Sequence, residues 1–127
     1  MSRFLGIDHG DKKIGLALGE NEANFALPYK IIKTKVFFQE IKEIIKEENI
    51  EEIVLGLPKN LNNEETQQTQ KVYDFLNELR KIINLPIHLE DERMTSRQAK
   101  NLMIDKKDED ASAAAIILDS FLKRNCS

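Results

Sequence analysis

Ile53-Val54-Leu55-Gly56-Leu57 constrains this chain more than any other segment, because five consecutive residues offer no polar side chain. A half-buried strand alternates apolar and polar residues, whereas an unbroken run closed by Pro58 needs cover on both faces. The middle strand of a parallel sheet meets that need. Cover is encoded on either side. Before the run, Phe38, Ile41, Ile44 and Ile45 recur at helical spacing among Lys and Glu, which predicts an amphipathic helix. After it, Val72, Phe75, Leu76, Leu79, Ile82 and Ile83 mark a longer helix, opened by the polar segment Asn60 to Thr66. Pro86 to Glu90 then reads as a further strand.

The N-terminal part has a different rhythm. Arg3 to Asp8 reads as a strand, with Leu5 and Ile7 on one face and Phe4, Gly6 and Asp8 on the other. Gly10-Asp11-Lys12-Lys13 is a turn, and Ile14 to Leu18 returns as the second arm of a hairpin. Asn24 to Lys33 is a third strand, which Pro28 marks as an edge or an irregular position. Thr95-Ser96-Arg97-Gln98 has the form of a capping box, so Asp91 to Met94 connects the last strand to a helix. A final helix carries Ala111, Ala114, Ala115, Leu118 and Phe121 on one stripe. Three strands, then alternating helices and strands, then two helices make an α/β layer fold with helices over a central sheet.

No linker or repeat divides the 127 residues, so residues 1–127 are expected to form a single domain. No apolar stretch approaches the roughly 20 residues of a membrane span. The N-terminus enters a strand without a charged-then-apolar leader, and the one cysteine, Cys126, excludes a disulfide scaffold or a cysteine-built zinc site. A cytoplasmic protein is expected. The net charge of −3 weighs against a nucleic-acid partner, although a local basic patch matters more than the total.

Chemistry is signalled by carboxylates. Asp8 ends an apolar strand, where a carboxylate is costly unless paired, hydrogen-bonded or metal-bound. Gly10 and Gly15 flank the turn that follows, where glycine permits close approach of backbone to a ligand. Glu90-Asp91-Glu92 places three acids at the carboxyl end of a strand, where sites gather in open α/β sheets. Asp110 opens the final helix on its buried stripe, beside Asp108 and Glu109. Ordinary readings compete with each: a satisfied hairpin Asp, a solvated acidic loop paired by Arg93, and acids favoured at a helix N-terminus. Taken together, the three sets suit hard cations, which take oxygen ligands from a few carboxylates and keep waters for substrate phosphates.

At this point the chain resembles a known family. Asp8-His9-Gly10-Asp11-Lys12-Lys13-Ile14-Gly15-Leu16-Ala17 is similar to the N-terminal signature of the YqgF (RuvX-type) family. Val54-Leu55-Gly56-Leu57-Pro58, Asp91-Glu92-Arg93-Met94-Thr95-Ser96 and Asp110-Ala111-Ser112-Ala113-Ala114 are similar to its later motifs, in order. Members are variously described as candidate resolvases of Holliday junctions and candidate nucleases for the 5′ end of the small-subunit ribosomal RNA precursor. The resemblance implies an RNase H-like fold, a five-stranded mixed sheet whose second strand is antiparallel, flanked by helices. It implies a catalytic and metal-binding triad of Asp8, Glu92 and Asp110, with Asp91 and Asp108 as rivals, holding Mg²⁺ or Mn²⁺, two ions in number. Gly10, Lys12, Lys13 and Arg93 are the candidate substrate contacts, and Lys59, Asn60, Asn62 and Asn63 could line the same groove.

Family members usually carry a longer, Gly- and Lys-containing segment before the last acid, whereas here it is only Asp105 to Glu109, mostly charged. His9 stands where an aromatic such as Phe is common, with its side chain expected on the far face of the sheet. His88 is read as structural. The leading expectation is a metal-dependent nuclease acting on structured RNA or ribosomal precursor particles, without a membrane. The alternatives are a Holliday-junction resolvase on branched DNA and a non-catalytic nucleic-acid-binding module. A monomer or weak homodimer is expected.

Overall fold

The computed structural model describes residues 2–22, 25–58, 65–91 and 109–125. Five strands form one mixed sheet: β1 (Arg3–Asp8), β2 (Lys13–Glu20), β3 (Phe25–Lys33), β4 (Glu52–Leu57) and β5 (Ile87–Asp91), in the order β3-β2-β1-β4-β5. β2 runs antiparallel to both neighbours, while β1, β4 and β5 are parallel. The apolar run from Ile53 to Leu57 lies in β4, buried between two parallel partners. Among the described residues there are three α-helices: α1 (Phe37–Glu47), α2 (Gln67–Ile82) and α3 (Glu109–Asn125). The helix expected to follow Thr95 lies outside the described residues. Among the described residues no helix is long and apolar enough to cross a membrane.

The sheet divides the core in two. Leu5, Ile7, Leu16, Ile53 and Leu55 face α1 and α2, meeting Phe37, Ile41, Phe75 and Leu79. Phe4, Ala17 and Val54 face α3, meeting Ala114, Ile117, Leu118, Phe121 and Leu122. The buried stripe of α1 is Phe37, Ile41 and Ile44, not one led by Phe38, which is 38% exposed. The 3₁₀ turn at Thr34–Val36 delivers the chain one residue earlier into the helix than periodicity alone suggests. Phe38 still edges against the Phe37 ring at 5.3 Å. Thr66 caps α2, accepting from the Thr69 amide, while the buried Thr69 hydroxyl donates to the Pro58 carbonyl and ties the helix start to the end of β4.

β3 is an edge strand, as Pro28 suggested. Leu16 opposes Lys30 and Ala17 opposes Pro28, so Tyr29 is the extra residue of a bulge. The turn after β1 is fastened to the start of α1: Thr34 Oγ1 donates to the Gly10 carbonyl at 2.8 Å and the Thr34 amide donates to the Lys12 carbonyl at 2.9 Å.

α3 lies on the sheet with no spacer. A Cβ built on Gly6 would sit 2.9 Å from the Ala114 carbonyl oxygen and 2.9 Å from Leu118 Cβ. One on Gly19 would sit 2.9 Å from Leu118 Cδ2 and 2.6 Å from the Phe25 carbonyl oxygen. Two glycines on neighbouring strands therefore form the bed of the helix. Gly6→Ala is predicted to destabilise the fold by about 1–3 kcal/mol through overpacking. Urea denaturation measures this, and an unchanged midpoint would remove the close approach as a determinant of the fold.

His9, one residue past β1, turns to the α1–α2 face and stacks on Phe75 with ring centroids 4.6 Å apart. Its Nδ1 is buried and has no hydrogen-bond partner among the described residues. Burial pushes the ring's pKa below its ordinary value; Asp11 opposes the shift and Lys71 adds to it. The unfolded chain therefore binds a proton at His9 more readily than the native one, and stability falls as pH drops below about 6.5. Thermal melts from neutral pH to pH 5 should show a steeper loss for the wild type than for His9→Phe. Parallel curves would contradict a neutral, stacked His9.

Candidate active site

The parallel strands β1, β4 and β5 end on one side of the sheet, bringing Asp8, Leu57 and Asp91 to the same rim. Strand alternation gives Asp8 the parity of Phe4 and Gly6, the face on which α3 packs. Its row in the sheet is unusual. Asp8 opposes Gly15 on β2, and Gly56 on β4 lies one step beyond the Ile7–Leu55 pair. With glycine on both flanks, Asp8 carries the only side chain in that row across β2, β1 and β4. The half-buried carboxylate thus stands in a trough instead of being wedged between neighbours. Gly10 makes the turn beyond it tight, since a Cβ there would lie 2.5 Å from the Lys13 carbonyl oxygen.

The next residue in the row is Glu90, opposite Gly56 on β5. Counted among the sequence with Asp91 and Glu92 as a rim acid, it is in fact 2% exposed and paired with Arg124 from the last turn of α3. Its role is to anchor the helix end, because a buried carboxylate without its partner is strongly destabilising. Asp91 ends β5 with the opposite parity, away from α3. Glu92 and Arg93 lie outside the described residues, as do Asp108, Lys59, Asn60, Asn62 and Asn63. Cys126 does too.

Asp110 belongs to the first turn of α3. The helix runs antiparallel to β1: Phe121 meets Phe4, with centroids 5.9 Å apart, while Ala114 sits over Gly6. From Ala114 back to residue 110 the helix advances about 6 Å. From Gly6 to Asp8 the strand advances about 6.6 Å in the same direction. The N-terminal turn of α3 therefore approaches the end of β1 that bears Asp8. Among the described residues no group of three or more His, Cys, Asp or Glu side chains is placed to hold a metal. Asp8 is the one member of the expected triad whose side chain is described.

Cations gather at the same end of the sheet. Lys12 and Lys13, in and just after the turn that follows β1, are exposed, and Lys33 and Lys35 join them around one shallow groove. The last two were missed in the sequence because they belong to a different segment. The pairing of Lys13 with Lys33 across β2 and β3 brings them together. Asp11 is tied to Lys71 of α2 at 3.1 Å. His88 accepts its structural reading: Nε2 lies 2.8 Å from Glu52 Oε1 and the ring stacks on Phe121 at 4.8 Å.

Comparison with known proteins agrees with this architecture. A sequence profile of the RuvX family, described as Holliday junction resolvase, matches residues 2–124. A relative from Maridesulfovibrio salexigens, provisionally named a pre-16S rRNA nuclease, is 38% identical over 96% of this chain and 98% of its own. One from Caldanaerobacter subterraneus subsp. tengcongensis, under the same name, is 38% identical over 94% of this chain and 95% of its own. Among solved structures, T. thermophilus RuvC in complex with a Holliday junction substrate superposes with a TM-score of 0.60 at 15% identity, covering 98% of this chain and 95% of that one. The fowlpox virus resolvase in complex with Holliday junction DNA gives 0.61 at 14% identity, covering 98% and 99%. These neighbours share the fold, which is RNase H-like, with the second of five strands antiparallel. With the profile spanning all but the ends of the chain and relatives aligned over nearly their full length, this protein belongs to the RuvX family.

Proposed function

We propose that this protein is a divalent-metal-dependent nuclease that hydrolyses phosphodiester bonds in structured RNA, processing the 5′ end of the 16S ribosomal RNA precursor in the cytoplasm. The observation that carries the reading is the Asp8 trough: a half-buried carboxylate flanked by Gly15 and Gly56, at the sheet rim approached by the first turn of α3. The names of the relatives point the choice of substrate toward ribosomal RNA.

Carboxylate oxygens suit Mg²⁺ or Mn²⁺, and Asp8, Glu92 and Asp110 are the residues that would hold them. The ions, two in number, would supply an activated water and neutralise charge at the phosphate. The chain's own part is positional. Gly15 and Gly56 put no side chain of their own on either side of Asp8 in its row of the sheet. The ladder bonds of β1 fix the Asp8 main chain, and the Glu90–Arg124 pair holds α3 down at its far end. Asp91 ends β5 with the parity opposite to that of Asp8, which counts against Asp91 as the third acid and leaves Glu92 of the Asp91-Glu92-Arg93 motif. Gly10, Lys12, Lys13 and Arg93 hold the substrate backbone, the lysines as point charges.

A second reading, resolution of Holliday junctions, draws on the profile's own description and on the DNA-bound resolvases that share the fold. The same residues serve both. Purified protein with Mg²⁺ or Mn²⁺ should cut a 16S precursor and leave a synthetic four-way junction intact; symmetric junction cleavage with an untouched precursor would reverse the assignment. Asp8→Asn is predicted to lower cleavage by at least about a hundredfold, the scale of losing one electrostatic stabiliser. Its melting temperature should stay near or above that of the wild type. A fully active Asp8→Asn protein would take Asp8 out of the chemistry, and activity in neither assay would leave a non-catalytic binding module.

A further inference from the structure

We infer that Lys33 and Lys35, together with Lys12 and Lys13, form a phosphate clamp that holds the nucleic-acid backbone on the β2–β3 side of Asp8. The inference rests on the nuclease reading and extends it to residues from a segment that the sequence motifs do not touch.

Lys13 begins β2 and Lys33 ends β3, and the two oppose each other directly in the antiparallel ladder. Like charges in that position work against the pairing. Lys12 precedes Lys13 in the turn and Lys35 follows Lys33 in the 3₁₀ turn, so four exposed ammonium groups surround one shallow groove. The single acid lining it, Asp11, is engaged by Lys71. Among the described residues none of the four lysines is in a salt bridge. In a chain of net charge −3 this is a local reversal of sign.

The backbone beneath the cluster is fixed. Thr34, between Lys33 and Lys35, bonds to the carbonyls of Gly10 and Lys12. Two loops distant in sequence are thereby locked into one platform. The platform stands at the sheet end that carries Asp8, two residues before Gly10. A polyanion threading past Asp8 would neutralise the lysine cluster, whereas in the free protein the cluster repels itself. A run of phosphates along a nucleic-acid strand is the ligand that this spacing and sign select.

The test is a Lys33→Gln/Lys35→Gln double variant of the full chain. Binding to labelled RNA and DNA duplexes of equal length is followed by fluorescence anisotropy in EDTA, across a salt titration. Wild-type cleavage with Mg²⁺ is assayed in parallel. The double variant is expected to bind both duplexes roughly tenfold or more weakly at low salt, and to lose about 0.9 from the log–log salt slope for each lysine that contacts duplex phosphate. Its melting temperature without nucleic acid should hold or rise, because a repulsion has been relieved. Unchanged affinity and slope, or a wild type that binds neither duplex, would overturn the clamp. If the wild type cleaves while the variant binds as tightly as before, the clamp fails and the nuclease reading stands. If the wild type cleaves nothing yet binding depends on these lysines, the nuclease reading fails and the clamp stands.

Discussion

The contact between α3 and the paired strands β1 and β2 is the constraint from which the rest of the molecule takes its position. It is a backbone-to-backbone approach, made possible by Gly6 and Gly19 and by the small residues Ala114 and Ala115. Close packing of this type tolerates little change in volume, because neighbouring atoms already occupy the contact distance. It fixes the height of the helix above the sheet, the direction in which it runs, and therefore how near its first turn comes to Asp8. Leu118 and Leu122, fully buried, and the Glu90–Arg124 pair secure the same helix further along.

The other face is built by a different rule. α1 and α2 stand off the sheet on large side chains, with Phe37, Phe38, Phe75 and His9 stacked against one another between ring centroids 4.6–5.3 Å apart. This aromatic layer supports the turn after β1 on the face opposite to α3. The sheet therefore separates two tasks. One side supplies apolar area, and the other, lined by glycine and alanine, lets a helix lie close on the strand that carries Asp8.

Much of the fold was legible in residue patterns, for identifiable reasons. The β4 run is apolar because both of its faces are covered, and that pattern survives any detail of packing. Pro28 forecast an edge, and the bulge at Tyr29 gives it one. Phe38 was misjudged because a 3₁₀ turn shifts the start of α1, and local periodicity does not report on such a shift. Glu90 was read with its acidic neighbours because the cation that pairs with it, Arg124, is 34 positions away in the chain. Lys33 and Lys35 escaped for the same reason: their nearness to Lys12 and Lys13 exists only through strand pairing. Gly15 was visible as turn punctuation, and Gly56 only as a member of a continuous apolar run. Their shared purpose beside Asp8 appears only when the ladders place them in one row.

The irregular edge strand has a consequence for how this protein behaves in a crowd of its own copies. An exposed sheet edge is a template on which a second chain can add a strand, and β3 also exposes Phe25, Leu27 and Ile31. At the centre of this edge, however, Pro28 has no amide hydrogen to donate, and the bulge at Tyr29 throws the ladder out of step. Lys30 and Lys33 add positive charge along the same border. An approaching strand meets an interrupted row of donors and a like-charged fringe, so the surface that is most open to self-association is also the one least able to propagate it.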